Sequence, residues 1–417
     1  MNAFLKMRSA KAFKFQSLSL TWSLIPCTFL ALLCLYFFPH SNPLLSPPSS
    51  YSAGTNKAAA YKKQCDYFNG NWIPDRTGPL YNGTTCGTIQ ESHNCITNGR
   101  PDSDFLYWRW KPRRCNLPRF EPNTFLQLIR NKHVAFVGDS LARNQLESLL
   151  CLLATTSTPK NHPRKRSLGW WHFASHNATL SSYWAPFLVQ GVQRQLKGPG
   201  PRHNTMYLDQ VNERWAKNMD QMDLIVLGFG HWFVKTPSIY YEAGSVLGCQ
   251  NFPALNCTDI VFYGPLRKAL RTALNSIIER KAAKGNGGGV IVRTYSPSHF
   301  KGTWDKGGTC SMTKPYEKEE KKLQKRDAKI RRIGIEELEN AKEKAKQCGG
   351  FRFEVLDVTK LALMRPDGHP GPYMNPYPFS KGVPERVPSD CSHWCLPGPI
   401  DTWNEIFLEM MKWEEKE

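Results

Sequence analysis

His133-Val134-Ala135-Phe136-Val137-Gly138-Asp139-Ser140 reads as a buried strand that breaks at a glycine and delivers a serine to a helix N-terminus. Leu141, Gln145, Leu146, Leu149 and Leu150 follow at helical spacing. Gly138 permits a tight turn, and the free N–H groups and dipole of the helix can stabilise an oxyanion beside the Ser140 hydroxyl. A bare Gly-Asp-Ser tripeptide is common by chance, so the strand–turn–helix setting carries the weight. Far along the chain stands Asp390-Cys391-Ser392-His393-Trp394-Cys395. A serine hydroxyl needs a base, itself oriented by an acid. Asp390 and His393 lie three apart in a loop bounded by cysteine and proline, so one short segment can bring both to Ser140. Taken singly, Ser140 would be a helix cap and Asp390 and His393 surface polar residues.

Outward from Ser140, apolar runs at Leu224–Leu227, Val290–Val292 and Val355–Val358 read as buried strands. Leu266, Ala269, Leu270, Ala273, Leu274, Ile277 and Ile278 form one apolar helical face. Gly285, Gly287, Gly288 and Gly289 read as the turn after that helix; no GK[ST] follows to make a phosphate loop. The charged stretch 314–347 reads as a long, largely solvated helix. Alternating strands and helices imply an α/β fold, a parallel sheet with helices on both faces and its site at the strand carboxyl ends. This catalytic domain is expected over 121–417.

The N-terminal part has a different composition. Leu18 to Phe38 is 21 residues without a charge, preceded by Lys6, Arg8, Lys11 and Lys14. That length spans a bilayer core of ~30 Å. The positive-inside rule then leaves residues 1–17 in the cytosol. A cleaved signal peptide is the rival, but the run is long for one and no small-residue cleavage site follows it. Residues 39–60, rich in Pro, Ser and Ala, read as a flexible stem, and 61–120 as a small disulfide-stapled subdomain rich in aromatics.

Cysteine usage agrees with an oxidising compartment. Of 13 cysteines, Cys27 and Cys34 lie in the apolar run, and eleven lie beyond it. That odd number leaves at least one free or paired between chains. Cys348 is the candidate, and Cys249 with Cys257 are close enough to pair locally. Cys391 and Cys395 flank His393, but no second Cys/His pair exists, so no metal is expected. Sequons at Asn82, Asn177 and Asn256 fall on the expected lumenal side. The net charge of +20 is scattered rather than striped, which with the anchor argues against nucleic acid.

The motifs now resemble a family. Gly138-Asp139-Ser140 with Asp390-x-x-His393 is similar to the SGNH/GDSL esterase superfamily. Gly138-Asp-Ser-Leu-Ala-Arg-Asn-Gln145, Cys65-Asp-Tyr-Phe-Asn-Gly-Asn-Trp72, Trp108-Arg-Trp110 and Asp390-Cys-Ser-His-Trp-Cys395 resemble the plant trichome-birefringence-like family. The resemblance covers residue 64 onward. It implies an SGNH-like sheet in a single-pass type II Golgi membrane protein that O-acetylates wall polysaccharides, with Ser140 as nucleophile, His393 as base and Asp390 as orienter. It implies an acetyl donor, acetyl-CoA or another carrier, and no bound cofactor.

Gly230-His-Trp-Phe233, Tyr240-Tyr241-Glu242 and Gly248-Cys249 resemble the branch acting on xyloglucan, with mannan and xylan as competitors. The superfamily's oxyanion asparagine has no counterpart in Gly228-Phe229-Gly230-His231, so the Ser140 N–H with Gly228 or Gly230 is expected to serve. Arg143 and Asn144 are candidates for donor or charge contact. Trp72, Trp108, Trp110 and Trp232 are candidates for stacking on sugar. A carbohydrate acetylesterase is the hydrolytic reading of the same triad. A binding protein without chemistry would have no need of it.

Overall fold

The computed structural model describes residues 65–412, apart from 165–167, 196–198, 235, 252–256, 286, 304–306, 318–319, 349, 384 and 386. Among the described residues no helix is long and apolar enough to cross a membrane. The expected span, Leu18 to Phe38, lies outside the described residues, as do the stem and Asn256.

In chain order the strands are β1 Gly70–Pro74, β2 Trp108–Pro112, β3 His133–Gly138, β4 Lys160–Arg164, β5 Leu168–Phe173, β6 Ala178–Trp184 and β7 Val189–Val192. After them come β8 Asn204–Val211, β9 Leu224–Gly228, β10 Ser238–Glu242, β11 Ser245–Gln250, β12 Gly288–Arg293 and β13 Phe351–Leu356. The main helices are α1 Pro122–Leu128, α2 Ser140–Ala154, α3 Tyr263–Arg280, α4 Lys325–Ala345 and α5 Asp401–Met411.

The central sheet runs β13-β12-β9-β3-β6-β5-β4. Its first five strands are parallel, and β5 and β4 add an antiparallel edge. Every residue of β3 is buried, as expected of a strand covered on both faces. The alternation of side chains divides it between two cores. Val134 and Phe136 pack with Leu146, Leu149 and Leu150 of α2 and Phe407 of α5. Ala135 and Val137 pack with Leu266, Leu270 and Leu274 of α3 and Ile330 and Ile333 of α4. A second sheet, β11-β10-β8-β7, lies against α3.

The chain enters the central sheet at β3, moves to β6 on one side, then to β9 on the other. Ligands in such sheets bind where the direction reverses, at the strand carboxyl ends. Here that point is Gly138 and its register partner Gly228.

Residues 61–120 pack onto the rest of the fold: residues 63–417 form one unit, and Tyr67, Trp72 and Trp110 share a core with α2 and α5. Two disulfides reinforce this, Cys86–Cys151 onto α2 and Cys95–Cys395 onto the Asp390–Cys395 loop. The helix expected over 314–347 begins only at Lys325, because the charged run before it has no apolar stripe to dock. Nor is it largely solvated, since Ile330, Ile333, Leu338 and Ala341 are buried on the second core. The last strand ends at Leu356, and Val358 already precedes the short helix Thr359–Leu363. Of the glycines expected in a turn, Gly285 is left-handed at φ 68°, while Gly288 and Gly289 already belong to β12.

The described disulfides are five: the two above with Cys65–Cys115, Cys249–Cys257 and Cys310–Cys391; the side chain of Cys348 lies outside those described. Cys391 and Cys395 are therefore oxidised to separate partners and cannot ligate zinc. Among the described residues no group of His, Cys, Asp and Glu is arranged to hold a metal.

Candidate active site

Ser140 opens α2 and is half-buried. Its approach is fixed by two glycines in contact. Gly138 has φ 154°, and a Cβ there would fall 1.7 Å from the Gly228 carbonyl oxygen. That carbonyl accepts the Asp139 N–H at 3.0 Å. A Cβ on Gly228 would in turn meet the Arg293 guanidinium at 2.6 Å. Asp139 caps α2 by accepting the Leu141 N–H at 3.1 Å. Its carboxylate is fully buried, with His231 Nδ1 at 3.5 Å and Arg293 Nη2 at 3.8 Å. Burial pushes its pKa up, but His231 and Arg293 outweigh burial and hold it below the usual carboxylate value.

At the other segment, Asp390 Oδ2 accepts from His393 Nδ1 at 2.6 Å. Asp390 Oδ1 also accepts the Ser392 and His393 N–H groups at 2.9 and 3.0 Å. Burial pushes the Asp390 pKa up, but the His393 charge and these hydrogen bonds hold it far below the usual range. Burial pushes the His393 pKa down, and Asp390 overrides it, leaving the imidazole above its ordinary value. His393 Nε2 is buried with no hydrogen-bond partner among the described residues. The imidazole is thus held at Nδ1, with Nε2 left for another group.

Asn144 joins the two segments. It is fully buried one turn after Ser140, its Oδ1 accepts the Trp394 N–H at 2.8 Å, and its Nδ2 donates to the Trp394 carbonyl at 3.2 Å. The residue after His393 is therefore bonded through both backbone groups to the helix that Ser140 begins. Asp139 and Arg143 both act electrostatically on His393.

Two histidines that the sequence reading passed over also hold this loop. His93, from the cysteine-rich segment, is buried and donates through Nδ1 to Glu147 Oε2 at 2.7 Å. Its ring lies 5.2 Å from that of His393, and its carbonyl accepts the Leu396 N–H at 2.8 Å. His369 donates through Nδ1 to the His393 carbonyl at 2.6 Å, stacks on Trp394 at 4.3 Å, and meets His299 Nδ1 at 2.7 Å. The Cys95–Cys395 disulfide, two residues from His93, holds this first contact, and its pairing has no signal in the sequence.

The other candidates sort by burial. Trp72 and Trp110 are core residues. The Trp72 Nε1 donates to the Leu361 carbonyl and the Trp110 Nε1 to that of Tyr67, so neither offers a face to sugar. Trp108 is half-buried. Trp232 is also half-buried, packed edgewise on Trp184 and Phe187, and lines a cavity with His231 and Ser392. Arg143, 40% exposed, lies with Nε 3.6 Å from Glu147 and over the Trp184 ring. Asn144 is committed to Trp394 and is not a surface contact. Gly228 is paired on both sides within the sheet, whereas Gly230, at φ 124°, lies beyond the strand end. Asn82 and Asn177 are exposed.

Residues 117–410 match the family described as PC-Esterase, the GDSL/SGNH-like acyl-esterase family found in Pmr5 and Cas1p. Residues 63–116 match the PMR5 N terminal Domain. Among curated proteins, the chain is 55% identical over 407 residues to Xyloglucan O-acetyltransferase 1 of Populus trichocarpa, covering 94% of each. It is 52% identical over 352 residues to Xyloglucan O-acetyltransferase 1 of Arabidopsis thaliana, covering 84% of this chain and 80% of the relative. Protein trichome birefringence-like 24 of Arabidopsis thaliana is 42% identical over 354 residues, 83% of this chain and 81% of the relative. With the glycine-hinged Ser140 turn and the Asp390–His393 pair inside the matched region, the chain belongs to the PC-esterase family, within its trichome-birefringence-like branch.

Proposed function

We propose that this protein transfers acetyl groups to hydroxyls of xyloglucan by double displacement through an acetyl-serine at Ser140. The observation that carries this is the Asp390–His393 pair, with Nε2 unbonded, latched through Asn144 to the helix that Ser140 opens.

Ser140 Oγ attacks the carbonyl carbon of the acetyl donor while His393 Nε2 takes the hydroxyl proton. Asp390 keeps the Nδ1 proton in place and stabilises the imidazolium. The Ser140 N–H and the Gly230 N–H hold the developing oxyanion. The leaving group departs with the proton from His393. A sugar hydroxyl then gives its proton to His393 and attacks the acetyl-serine, and His393 returns that proton to the departing Ser140 Oγ, which frees the serine. Asn144, His93 and His369 position the His393 segment without touching the reacting atoms. Trp232 is the aromatic candidate for sugar contact. Preference for xyloglucan rests on what the relatives' names say of those relatives, at 52–55% identity.

The same reading includes a single-pass anchor at Leu18–Phe38 in the Golgi membrane, with the catalytic domain lumenal. Five disulfides and exposed sequon residues at Asn82 and Asn177 support an oxidising lumen. Protease added to sealed vesicles should spare the C-terminal portion; its digestion would refute the orientation.

The function is tested by incubating the purified lumenal portion and an acetyl donor with xyloglucan, mannan and xylan oligosaccharides, with mass detection of products. Acetylated xyloglucan oligomers are expected, and none from Ser140→Ala. Release of acetate alone in every tube would make the protein an esterase.

A further inference from the structure

The proposed reaction leaves one substrate without a site. Xyloglucan is uncharged, so the acceptor supplies no reason for a cationic wall bordering the segments that carry Ser140 and His393. Such a wall exists. A cavity of about 540 Å³ is bordered by His231, Ser392, Arg194, Arg326, Trp232 and Phe300. His231 faces Asp139, the residue before Ser140, and Ser392 precedes His393, so the cavity reaches both segments of the site. Two guanidinium groups and an imidazole line it, and no carboxylate does among the described lining residues. Arg326 pairs through Nε with Asp327 at 2.8 Å, and its pKa lies above the ordinary arginine value despite burial, so its charge persists.

A second feature has the same sign. Gln324, which also lines the cavity, is the cap residue of the 21-residue helix α4, and no side chain caps it. The positive end of that helix opens toward the same space. Planar guanidinium groups bind phosphate oxygens in pairs, while Trp232, Tyr295 and Phe300 offer an apolar wall for a less polar arm.

We propose that this cavity binds the acetyl donor, and that the donor is an anionic, phosphate-bearing acyl carrier held by Arg194 and Arg326. This rests on the acetyl-serine reading above. The step balances without a further reactant. The carrier's acyl bond breaks, the acetyl carbon bonds to Ser140 Oγ, and the carrier leaves with the proton returned by His393. Acetyl-CoA and acetyl phosphate share this chemistry.

The test compares donors on the purified lumenal portion: acetyl-CoA, acetyl phosphate and the neutral ester 4-nitrophenyl acetate. Acyl transfer from each is followed without xyloglucan as Ser140-dependent release of the CoA thiol, phosphate or 4-nitrophenol, with water taking the acetyl group from Ser140 between turnovers, so the result does not depend on the sugar acceptor. In the Arg194→Gln/Arg326→Gln double variant, kcat/KM for a phosphate-bearing donor should fall about tenfold or more relative to that for the neutral ester. Arg194→Lys/Arg326→Lys should recover part of that ratio, which a folding defect would not allow. Whichever phosphate donor shows the ratio identifies the source. Equal rates with charged and neutral donors in the wild type, or a ratio untouched by the double variant, would overturn the donor site. Loss of cleavage of the neutral ester by Ser140→Ala, in the same series, separates failure of this proposal from failure of the nucleophile assignment.

Discussion

Asn144 holds Trp394 by both of its backbone groups, at 2.8 Å to the N–H and 3.2 Å to the carbonyl, and so ties the helix that starts at Ser140 to the loop that carries His393. The two segments stand 250 residues apart in the chain. Asn144→Leu keeps roughly the side-chain volume and removes both bonds. It should lower kcat about 10²-fold, as expected for a displacement of about 1 Å at a reacting group. It should also cost about 1–3 kcal/mol of stability for the two orphaned groups. Substrate KM should change little. A kcat equal to wild type, in a variant with lowered melting temperature, would reduce Asn144 to a core residue.

The pH dependence follows from the directions at Asp390 and His393. The base works neutral, and Asp390 holds the His393 pKa above the ordinary value. The acid limb of kcat/KM should therefore have its midpoint above about 6.5, the unperturbed histidine value. Asp390→Asn should move that midpoint down and cut the rate about 10⁴-fold, the scale known for such an acid in serine hydrolases. The stability linkage has two parts. The raised His393 pKa contributes stability that is present below the unfolded value and lost as pH rises through the folded one. The depressed Asp390 pKa contributes stability that is present above the unfolded value and lost as pH falls through the folded one. A limb that stays in place in Asp390→Asn would rule out the pairing as its cause.

Cys95–Cys395 should serve both stability and activity. It closes a sequence separation of 300 residues and ends beside Trp394. The double variant Cys95→Ala/Cys395→Ala should lose about 2–5 kcal/mol in denaturant titration. Because His93 bonds Leu396 and packs on His393, kcat should fall too, even well below the melting temperature. Full activity in the folded variant would show that the cysteine-rich segment does not hold the His393 loop.

Trp110 separates core from binding surface. It is 1% exposed and packs edgewise on Trp72 at 5.6 Å. Trp110→Ala should cost about 3–5 kcal/mol of stability. The preference among xyloglucan, mannan and xylan oligomers should stay as in the wild type. A shifted preference in the folded variant would return Trp110 to the sugar site.

What could be read from the chain was what local pattern encodes. The apolar run of β3, its glycine and the leucine spacing of α2 each have a period or a turn requirement of their own. Asp390 and His393 lie close enough for a loop to present both. The contacts that hold the two halves together leave no such trace. His93 reaches His393 through a disulfide whose pairing no spacing reveals, and Glu147 looks like any helix carboxylate until His93 is placed on it. Trp72 and Trp110 carry the same aromatic signal as Trp232, and only the packing of α5 and the Leu361 carbonyl decides that they are core. The onset of α4 at Lys325 was hidden because the charge pattern on either side of it is alike.

In the proposed reaction Ser140 carries the acetyl group between donor and sugar. Purified residues 63–417, which form one unit, should be mixed with an acetyl donor in the absence of acceptor, quenched in acid within the first turnover, digested and read by mass spectrometry. The account predicts one acetyl on the peptide containing Ser140, lost when xyloglucan oligosaccharide is added before the quench and absent from Ser140→Ala. An unmodified Ser140 peptide while acetylated xyloglucan accumulates, or acetylated product from Ser140→Ala, would contradict it.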